Sequence, residues 1–250
     1  MSNSQRRVAI FGATSDIAAA YARRCAEARA RLVLVGRDMA GLERLAADLK
    51  VRGAPEVIVR GADFTETGQL ADVAEGAWSA FGGLDVVLIA YGSLPVQERL
   101  NSDPAEAEAA LKLNFVSPAL LANLLAARFE AARAGTIAVI TSVAGDRGRQ
   151  SNYGYGAAKA GLQTFLEGLR HRLYASGVNV LDIRPGFVAT KMTAHLPQGG
   201  PLWAAPEKVA ADIAAAVEKR AAVLYTPWFW KGIMTIVRGL PRPIFHRSKL

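Results

Sequence analysis

The sequence predicts an α/β fold in which one parallel sheet of about seven strands carries helices on both faces. Three observations predict it. Short apolar, β-branched runs alternate with longer Ala- and Leu-rich segments of helical period from one end of the chain to the other. The runs are continuously apolar, as expected for strands that are covered on both faces. The chain of 250 residues, 51% of them hydrophobic, supplies the core of one large domain.

Each predicted element follows from its local sequence. The apolar runs predicted as strands cover residues 8–11, 32–35, 57–59, 86–89, 137–140, 178–183 and 223–225. The segments predicted as helices cover residues 17–30, 40–51, 67–81, 104–134, 153–176 and 206–220. Because strand–helix–strand connections are right-handed, the predicted sheet is doubly wound. No linker, repeat or low-complexity tract interrupts the alternation, so we predict one domain over residues 1–227 and a short amphipathic appendage over residues 228–250.

Positive charge is concentrated at the carboxyl end. The formal net charge is +8, and residues 221–250 contain no Asp or Glu. The cations of that segment are Lys231, Arg238, Arg242, Arg247 and Lys249. A basic surface spread over the whole domain would indicate nucleic acid, whereas a basic, aromatic tail does not. We therefore predict no nucleic-acid partner.

The cysteine content and the hydropathy bear on the compartment. Cys25 stands alone in the sequence, which excludes a disulfide framework and favours a reducing compartment. The apolar stretch after Arg6 and Arg7 is shorter than the hydrophobic region of an export signal. The sequence contains no uninterrupted apolar span of about 18 residues, so it predicts no transmembrane helix. We expect a cytoplasmic protein.

The turn after the first strand is a candidate phosphate site. A glycine at the strand end and small hydroxyl residues before a helix aim backbone amides and the positive end of the helix dipole at an anion. The residues of this turn are Gly12, Thr14, Ser15, Asp16 and Ile17. A plain strand-to-helix turn is the alternative, because the GxGxxG fingerprint is absent.

The ends of the second and third strands indicate which nucleotide binds. Gly36 stands where NAD enzymes usually place a carboxylate against the ribose, and Arg37 supplies a guanidinium suited to a 2′-phosphate. We predict NADP(H) in preference to NAD(H); the alternative is a solvated arginine. Asp63 and Phe64 follow the third strand and are candidates to bond and flank an adenine, although Asp63 serves equally well as a helix N-cap.

A catalytic constellation follows the fifth strand. Tyr155 and Lys159 are four residues apart, so on a helix they lie on one face. A neighbouring ammonium moves the pKa of a phenol toward the range useful for acid–base catalysis. Ser142 ends the strand at the ligand-binding edge, where its hydroxyl can hydrogen-bond a carbonyl oxygen that develops negative charge. No metal site is predicted, because ligand spacing is absent from the histidines His171, His195 and His246.

These motifs, in this order, resemble the short-chain dehydrogenase/reductase family. In that family a serine lies about thirteen residues before a Tyr-x-x-x-Lys pair, as Ser142 lies before Tyr155 here, and the matching asparagine on the preceding helix is Asn114. The resemblance covers residues 7–227. The further positions that it assigns to the cofactor are Ala90, Tyr91 and Gly92 after the fourth strand and Pro185, Gly186, Val188 and Thr190 after the sixth.

The resemblance implies a Rossmann-like fold, a homo-oligomer, and hydride transfer between a nicotinamide cofactor and a carbinol carbon. In the reducing direction it assigns Ser142 to polarise the ketone and Tyr155 to protonate the alkoxide. It assigns Lys159 to lower the pKa of Tyr155 and to bind the nicotinamide ribose. Asn114 is then expected to hold a water that connects the proton relay to solvent.

Two departures from the family pattern carry expectations of their own. The glycine-rich turn of the family reads Gly12, Asp16 and Ala18 here. A carboxylate beside a pyrophosphate is repulsive, so we expect the Asp16 side chain to turn aside and cap the first helix. The family's Asn-Asn-Ala-Gly segment is replaced by a sequence with Tyr91 before Gly92, and we expect the bracing of the sheet by those asparagines to be lost.

The tail after Pro227 is amphipathic. On a helix, Lys231, Thr235, Arg238 and Arg242 form one polar stripe opposite Trp, Phe, Ile, Met and Val side chains, and Pro241 and Pro243 are expected to stop the helix. Cations, aromatics and no acids are typical of a helix that lies in a membrane interface. A terminal helix docked on the body or on a second subunit is the alternative.

A narrower resemblance concerns the substrate. Residues 145–155, 184–196 and 226–247 are similar to reductases of decaprenylphosphoryl 2-keto-erythro-pentose, which act in cell-envelope sugar synthesis together with a partner oxidase. That resemblance implies a lipid-linked keto-sugar substrate at the inner face of the cytoplasmic membrane, with contact through residues 228–247. Arg147 and Arg149 are candidates for the substrate phosphate, and a solvated loop is the alternative. A soluble ketoreductase, for example of 3-oxoacyl thioesters, and a non-catalytic nucleotide-binding scaffold are the other functions that the sequence leaves open.

Overall fold

A computed structural model describes residues 5–248. The seven strands of its main sheet are parallel and are arranged in the order β3-β2-β1-β4-β5-β6-β9. They cover β1 Arg7–Phe11, β2 Arg31–Gly36, β3 Val57–Gly61, β4 Val86–Ile89, β5 Thr136–Ile140, β6 Asn179–Pro185 and β9 Val223–Thr226. The predicted doubly wound sheet with about seven strands is confirmed.

Helices cover both faces of this sheet. Their bounds are α1 Asp16–Glu27, α2 Met39–Val51, α3 Leu70–Ser79, α4 Gln97–Ser102, α5 Pro104–Leu111, α6 Ser117–Ala132, α7 Tyr153–Leu173, α8 Pro206–Glu218, α9 Phe229–Gly239 and α10 Arg242–Arg247. Along β1, Val8 and Ile10 pack into one core cluster, whereas Ala9 and Phe11 pack into the other. This alternation follows from the two-residue period of a strand, and it explains why every residue of the strand interior is apolar.

The position of the site follows from the strand order. From β1 the chain winds outward through β2 to β3, and it then returns to the centre to form β4 on the other side of β1. The connections after β1 and β4 therefore diverge and leave a crevice at the carboxyl edge of the sheet, where doubly wound proteins bind their ligands.

The segment predicted as one helix over residues 104–134 is interrupted by a π-helical turn at Lys112–Val116. Helix α6, which follows, buries Leu121, Leu125 and Phe129 against the sheet. By length and composition, Pro104–Ala132 is apolar enough to cross a membrane, and half of its most apolar window is buried inside the protein. Its burial is that of a helix in the core layer.

Four small elements were not predicted from the sequence. Helix α4 precedes α5, the two-residue strands β7 Phe187–Val188 and β8 Trp203–Ala204 pair in parallel, and α10 follows Pro241. Elements of two to six residues carry too little periodicity to be recognised. The tail helix α9 ends at Gly239, just before Pro241, as expected, and Pro243 lies in the first turn of the separate helix α10, where the missing N–H of proline is tolerated.

The appendage docks on the body of the protein. Trp230, Met234 and Val237 of α9 are buried, and they form a separate core cluster with Val143. A Cβ atom on Gly186 would lie 2.0 Å from the indole of Trp230, so this helix rests directly on the backbone beside β6. Lys249 of the basic segment lies outside the described residues. Of the two alternatives for the tail, the structure places the apolar face of α9 on the protein.

This contact predicts a stability difference between two glycines. Gly186→Ala should lower the free energy of unfolding by about 1–3 kcal/mol, because the added methyl overlaps Trp230. Gly232→Ala in α9 faces open space and should raise it by about 0.5–1 kcal/mol through helix propensity. Urea denaturation of both variants measures the difference. Equal stability of the two variants would contradict the docking of α9 on Gly186.

Candidate active site

One cleft at the carboxyl edge of the sheet brings the predicted site residues together. Its volume is about 470 Å³, and every predicted catalytic and cofactor-binding residue lines it. Arg149 also lines it, whereas Arg147 does not. The loops after β1, β4, β5 and β6 supply most of the wall, because parallel strands end at the same edge.

The candidate catalytic residues come from β5 and α7. Ser142 follows β5 in extended backbone, and its Oγ accepts a hydrogen bond from the amide of Ala144 at 3.1 Å. Tyr155 lies in the first turn of α7, and Lys159 follows one turn later on the same face. The Lys159 Nζ is 5.7 Å from the centre of the Tyr155 ring and donates to the carbonyl of Ile140 at 3.1 Å. The sequence spacing therefore gives the expected proximity.

Asn114 completes the group from the π-helical turn between α5 and α6. Its Oδ1 accepts from the Ser93 amide at 3.0 Å, and its Nδ2 donates to the Ala110 carbonyl at 3.0 Å. A Cβ on Gly92 would lie 2.7 Å from Asn114 Oδ1 and 3.6 Å from Lys159 Nζ. Gly92 therefore permits the fully buried asparagine to approach the lysine. A π-turn at this point is typical of a functional position in a helix.

Burial controls the charges of the tyrosine and the lysine. It raises the pKa of Tyr155 to about 12, and the Ser142 side chain acts in the opposite direction. It lowers the pKa of Lys159 to about 8, against the attraction of Asp182. Desolvation of the phenolate is the largest influence on the pKa of Tyr155, and Lys159 is placed over the ring rather than at the hydroxyl; the expected lowering of that pKa by Lys159 stays a prediction.

The lysine predicts a pH dependence. Its ammonium loses its proton as pH rises through the folded pKa of about 8, so kcat/KM for reduction should fall on the alkaline side with an apparent pKa close to that value. The expected control is Lys159→Arg, whose guanidinium stays charged and should remove this alkaline decline. Steady-state kinetics across the neutral and alkaline range measures both. The same decline in the arginine variant would contradict the assignment.

The turn after β1 fits a bound phosphate. Gly12 has φ +82°, and an added Cβ would lie 2.8 Å from the backbone of Tyr91, so glycine is required by both conformation and space. The Ser15 Oγ is buried at the start of α1 without a hydrogen-bond partner among the described residues. An orphaned hydroxyl at a helix N-terminus is a donor suited to a pyrophosphate oxygen. The residues present therefore fit a dinucleotide cofactor.

Asp16 does not cap the first helix, contrary to expectation. Its Oδ2 accepts a hydrogen bond from the Lys191 amide at 2.7 Å, across the mouth of the cleft. The helix α1 has no side-chain cap. The carboxylate thus avoids the phosphate site by bonding to the segment after β7, and it ties the nucleotide turn to the loop that carries Lys191.

Tyr91 replaces the bracing that the sequence was expected to lose. Its ring stacks on Phe64 with centroids 3.9 Å apart, and its hydroxyl lies 2.9 Å from the Ser117 Oγ. Ser117 in turn donates to the Phe64 carbonyl at 2.6 Å. This chain joins the ends of β3 and β4 to α6. Phe64 is 4% exposed, so its ring is largely committed to the core while its edge borders the cleft.

Arg37 and Asp63 lie at the outer, nucleotide end of the cleft. Arg37 is exposed at the end of β2, and no hydrogen bond or ion pair engages its side chain among the described residues. Asp63 accepts from the Thr65 amide at 2.9 Å and the Thr65 hydroxyl at 2.8 Å, and these bonds hold its pKa below the ordinary value. Asp63 is therefore not a helix N-cap: the next helical turn begins after Glu66, and the Asp63 carboxylate closes an Asx turn with Thr65 instead.

Arg147 is committed to the tail, so its assignment to a substrate phosphate is wrong. Its guanidinium donates to the carbonyls of Val237 and Leu240 at the end of α9 and stacks on Phe245 at 3.7 Å. Carbonyl groups at a helix C-terminus are natural partners for a cation. The sequence pattern gave no sign of this contact, because the two segments are about ninety residues apart.

Several cleft residues were missed by the sequence reasoning. Asn152 faces the cleft just before Tyr155, and it stands in a loop without periodicity. The apolar lining of the substrate end includes Leu94, Val143, Phe187, Met192 and Leu196. Single apolar residues in loops carry no signal that distinguishes a substrate wall from ordinary packing.

Comparison with known proteins identifies the family. The family model described as short chain dehydrogenase matches residues 6–200, most of the chain. This chain belongs to the short-chain dehydrogenase/reductase family. It is 37% identical over 240 residues to an oxidoreductase of Mycobacterium tuberculosis, with 96% of each chain covered. It is 35% identical over 249 residues to an oxidoreductase encoded near mprA in Streptomyces coelicolor, covering 98% of this chain and 97% of the relative.

Solved members of the short-chain dehydrogenase/reductase family have the same fold. A short-chain dehydrogenase from Sphingobium yanoikuyae in complex with NADPH superposes with a TM-score of 0.81 at 25% identity, covering 97% of this chain and 96% of that one. The protein is therefore an NAD(P)-dependent oxidoreductase, and the non-catalytic scaffold is set aside.

Proposed function

We propose that the protein is an NADPH-dependent reductase that delivers hydride to a ketone. One observation carries the proposal: a serine hydroxyl, a tyrosine phenol and a buried lysine line the same cleft as a turn whose residues fit a bound phosphate. The cofactor, when bound, would supply the hydride. The NADPH complex of the Sphingobium relative supports a nicotinamide cofactor in a cleft of this fold.

Ser142 and Tyr155 act on the oxygen of the ketone. Because the Ser142 Oγ accepts from a backbone amide, its own proton is free to be donated to the carbonyl oxygen. The raised pKa of Tyr155 keeps the phenol protonated at neutral pH, which is the form needed to donate a proton during reduction. Both groups therefore stabilise the negative charge that develops on the ketone oxygen during hydride transfer.

Lys159 and Asn114 serve the proton supply and the cofactor. The ammonium of Lys159 uses one proton in its bond to Ile140 and keeps two for a ribose hydroxyl and a water. Asn114 lies beside it across Gly92, at a point where a water would connect the ammonium to solvent. We assign these two residues to relay and positioning rather than to direct contact with the ketone.

Arg37 supports NADPH rather than NADH. Its guanidinium at the end of β2 has no protein partner among the described residues and stands where a ribose 2′-phosphate would reach. Asp38, the next residue, is engaged in capping α2 through the Gly41 amide at 2.9 Å. The Asp38 carboxylate therefore already has a backbone partner, whereas the Arg37 guanidinium has none among the described residues.

For the substrate, we propose the polyprenyl-phosphoryl 2-keto-pentose class, delivered by a partner oxidase. Docking of α9 leaves an outer surface on α9 and α10, the tail surface, that combines apolar and cationic residues. Its apolar members are Trp228, 78% exposed, Ile236, 69% exposed, and Ile244, 57% exposed. Its cations are Lys231, Arg238 and Arg242. Such a surface favours contact with an anionic bilayer, where a lipid-linked substrate resides.

A second candidate substrate is a 3-oxoacyl thioester. A relative in Nostoc, 28% identical over 219 residues and covering 86% of this chain and 76% of its own, is named as a ketoacyl reductase. The apolar residues at the substrate end of the cleft would suit an acyl chain. On this alternative, the tail surface serves contacts between subunits rather than contact with lipid.

The activity is tested by NADPH consumption with a panel that contains a lipid-phosphoryl keto-pentose, a 3-oxoacyl thioester and a simple ketone. Oxidation of NADPH that depends on a ketone is the expected result. Oxidation that proceeds equally without any ketone, or none with any member of the panel, would contradict the proposed function. The substrate with the highest kcat/KM decides between the two candidate classes.

Membrane contact is tested separately by sedimentation with vesicles of phosphatidylglycerol. Changing Trp228, Ile236 and Ile244 together to Ser should reduce the bound fraction, because it removes only exposed apolar side chains. Val51→Ser with Tyr174→Ser, at residues 90% and 83% exposed on other surfaces, is the matched control and should bind as the wild type does. Equal binding of all three proteins would overturn the membrane proposal.

A further inference from the structure

Two polar atoms next to the candidate catalytic residues have no partner. The Arg149 Nε and the Asn152 Oδ1 are buried and make no hydrogen bond within residues 5–248. Both side chains line the cleft together with Ser142 and Tyr155. Buried polar atoms are almost always paired in proteins, so an orphaned pair in a cleft points to a ligand.

No described residue forms an ion pair with the Arg149 guanidinium. Asp146 is the acidic residue that acts on it, but one Asp146 oxygen accepts from Arg184 at 2.9 Å and the other accepts from Tyr225 at 2.8 Å. No carboxylate in the described part of the chain lies within 4.0 Å of the Arg149 guanidinium. A half-buried guanidinium without a counter-ion is costly, and an anionic ligand would relieve that cost.

The acidic residues that line the cleft lie at its nucleotide end, away from Arg149. Asp16, Asp38 and Asp63 are the carboxylates among its lining, and they belong to the loops after β1, β2 and β3 at the nucleotide end. Each already accepts a backbone amide, from Lys191, Gly41 and Thr65 respectively. Among the described residues that line the cleft, no carboxylate therefore stands on the wall that carries Arg149, and Asp146 behind that wall is already paired with Arg184 and Tyr225.

The loop that carries Arg149 is held on two sides. Asp146 ties it to β6 and β9 through Arg184 and Tyr225, and Arg147 ties it to the end of α9. The Asn152 amide then donates to the Arg149 carbonyl at 3.1 Å. The tail thus helps to fix the loop from which Arg149 lines the cleft. A residue held in this way is preorganised for binding.

We infer that Arg149 and Asn152 form a subsite for an anionic group on the substrate, a carboxylate or a phosphate, with Asn152 accepting a hydrogen bond from a substrate hydroxyl or acidic proton. The inference rests on the proposed function and narrows it to ketones that carry such a group. Arg149 and Asn152 determine specificity, and the ketone chemistry stays with Ser142 and Tyr155. A charged donor also pairs with the two oxygens of a carboxylate or phosphate in bidentate geometry.

The test uses pairs of ketones in which one member carries an anionic group and the other carries a neutral ester or hydroxyl in its place. Acetoacetate and ethyl acetoacetate form the carboxylate pair, and ribulose 5-phosphate and ribulose form the phosphate pair. The wild type should prefer the anionic member of at least one pair, and the preferred pair identifies the group. Arg149→Gln should reduce that preference by about 10- to 100-fold, which is the effect of losing one charge-assisted hydrogen bond. Arg149→Lys should retain part of it.

Lys219→Gln removes one positive charge from the exposed end of α8 and is the matched control, expected to keep the full preference. A fall in kcat/KM that is equal for the neutral and the anionic ketone in Arg149→Gln would overturn the subsite. A wild type that reduces neutral and anionic ketones equally well would overturn it too. Turnover of the neutral ketones in either case leaves the proposed reductase activity standing, so the two failures are distinguishable.

Discussion

Replacing Tyr155 with phenylalanine is expected to lower kcat/KM for ketone reduction by about 10²- to 10⁴-fold, the usual contribution of a positioned proton donor. The variant removes only the hydroxyl, and its ring still fills the space beside Lys159. The binding of NADPH, measured by fluorescence titration, should change little, because the phosphate turn and Arg37 are untouched. The loss should therefore appear in kcat rather than in cofactor affinity.

The neighbouring Tyr153 allows the same Tyr→Phe substitution to be made on the same helix but outside the cleft, as a control. It lies two residues earlier on α7, is 51% exposed, and donates its hydroxyl to Asn101 outside the cleft. Tyr153→Phe should retain near wild-type turnover. Comparable losses in the two variants would mean that the effect comes from disturbing α7 and would contradict the role of Tyr155 as the proton donor.

Arg37→Asp is expected to reverse the cofactor preference. The ratio of kcat/KM with NADPH to that with NADH should fall by about 10²- to 10³-fold, because a charge-assisted bond to the 2′-phosphate is lost and a carboxylate repels it. The same carboxylate offers acceptors to the free ribose hydroxyls of NADH. Steady-state kinetics with the two cofactors and one ketone gives the ratio.

Lys50→Asp makes the same charge change near the end of α2, where the side chain is exposed and outside the cleft. It should leave the cofactor ratio unchanged, apart from a small long-range effect that salt removes. A ratio in Arg37→Asp that equals the wild-type ratio would show that the 2′-phosphate is recognised elsewhere or that the enzyme does not distinguish the two cofactors.

The sheet and the location of the cleft could be predicted from the sequence because they depend on periodicity. Short, continuously apolar runs such as the one in β1 form strands that are buried between two helical layers. The carboxyl ends of parallel strands lie at the same edge of the sheet, which fixes the place of the cleft. Tyr155 and Lys159 could likewise be placed on one helix face by their spacing. These inferences use only the geometry of helices and strands, which tertiary context rarely changes.

The side-chain partners of Asp16, Tyr91 and Arg147 could not be predicted, because each is made by a residue distant in sequence. Asp16 bonds to Lys191, and Tyr91 to Ser117. A motif predicts that Asp16 and Tyr91 border the cofactor, and it carries no information on which neighbouring residue pairs with each side chain. The pKa values of Tyr155 and Lys159 were unpredictable for a related reason, since they depend on burial.

The amphipathic pattern of the tail left two structures open. The apolar face of a helix can be removed from water by packing against lipid or by packing against protein. What decides is the partner surface: Gly186, without a side chain, leaves room for Trp230, and Val143 completes the cluster. The apolar residues that remain exposed, Trp228 and Ile236, are then the ones that the membrane proposal must use.

The most direct test of the reductase proposal is the transfer of deuterium from NADPH that carries deuterium at both C4 positions of the nicotinamide to the product of ketone reduction. If the cleft holds NADPH beside a ketone activated by Ser142 and Tyr155, the label should appear on the carbinol carbon, without exchange with solvent. A product whose carbinol carbon carries no deuterium, although NADPH has been oxidised, would contradict the account.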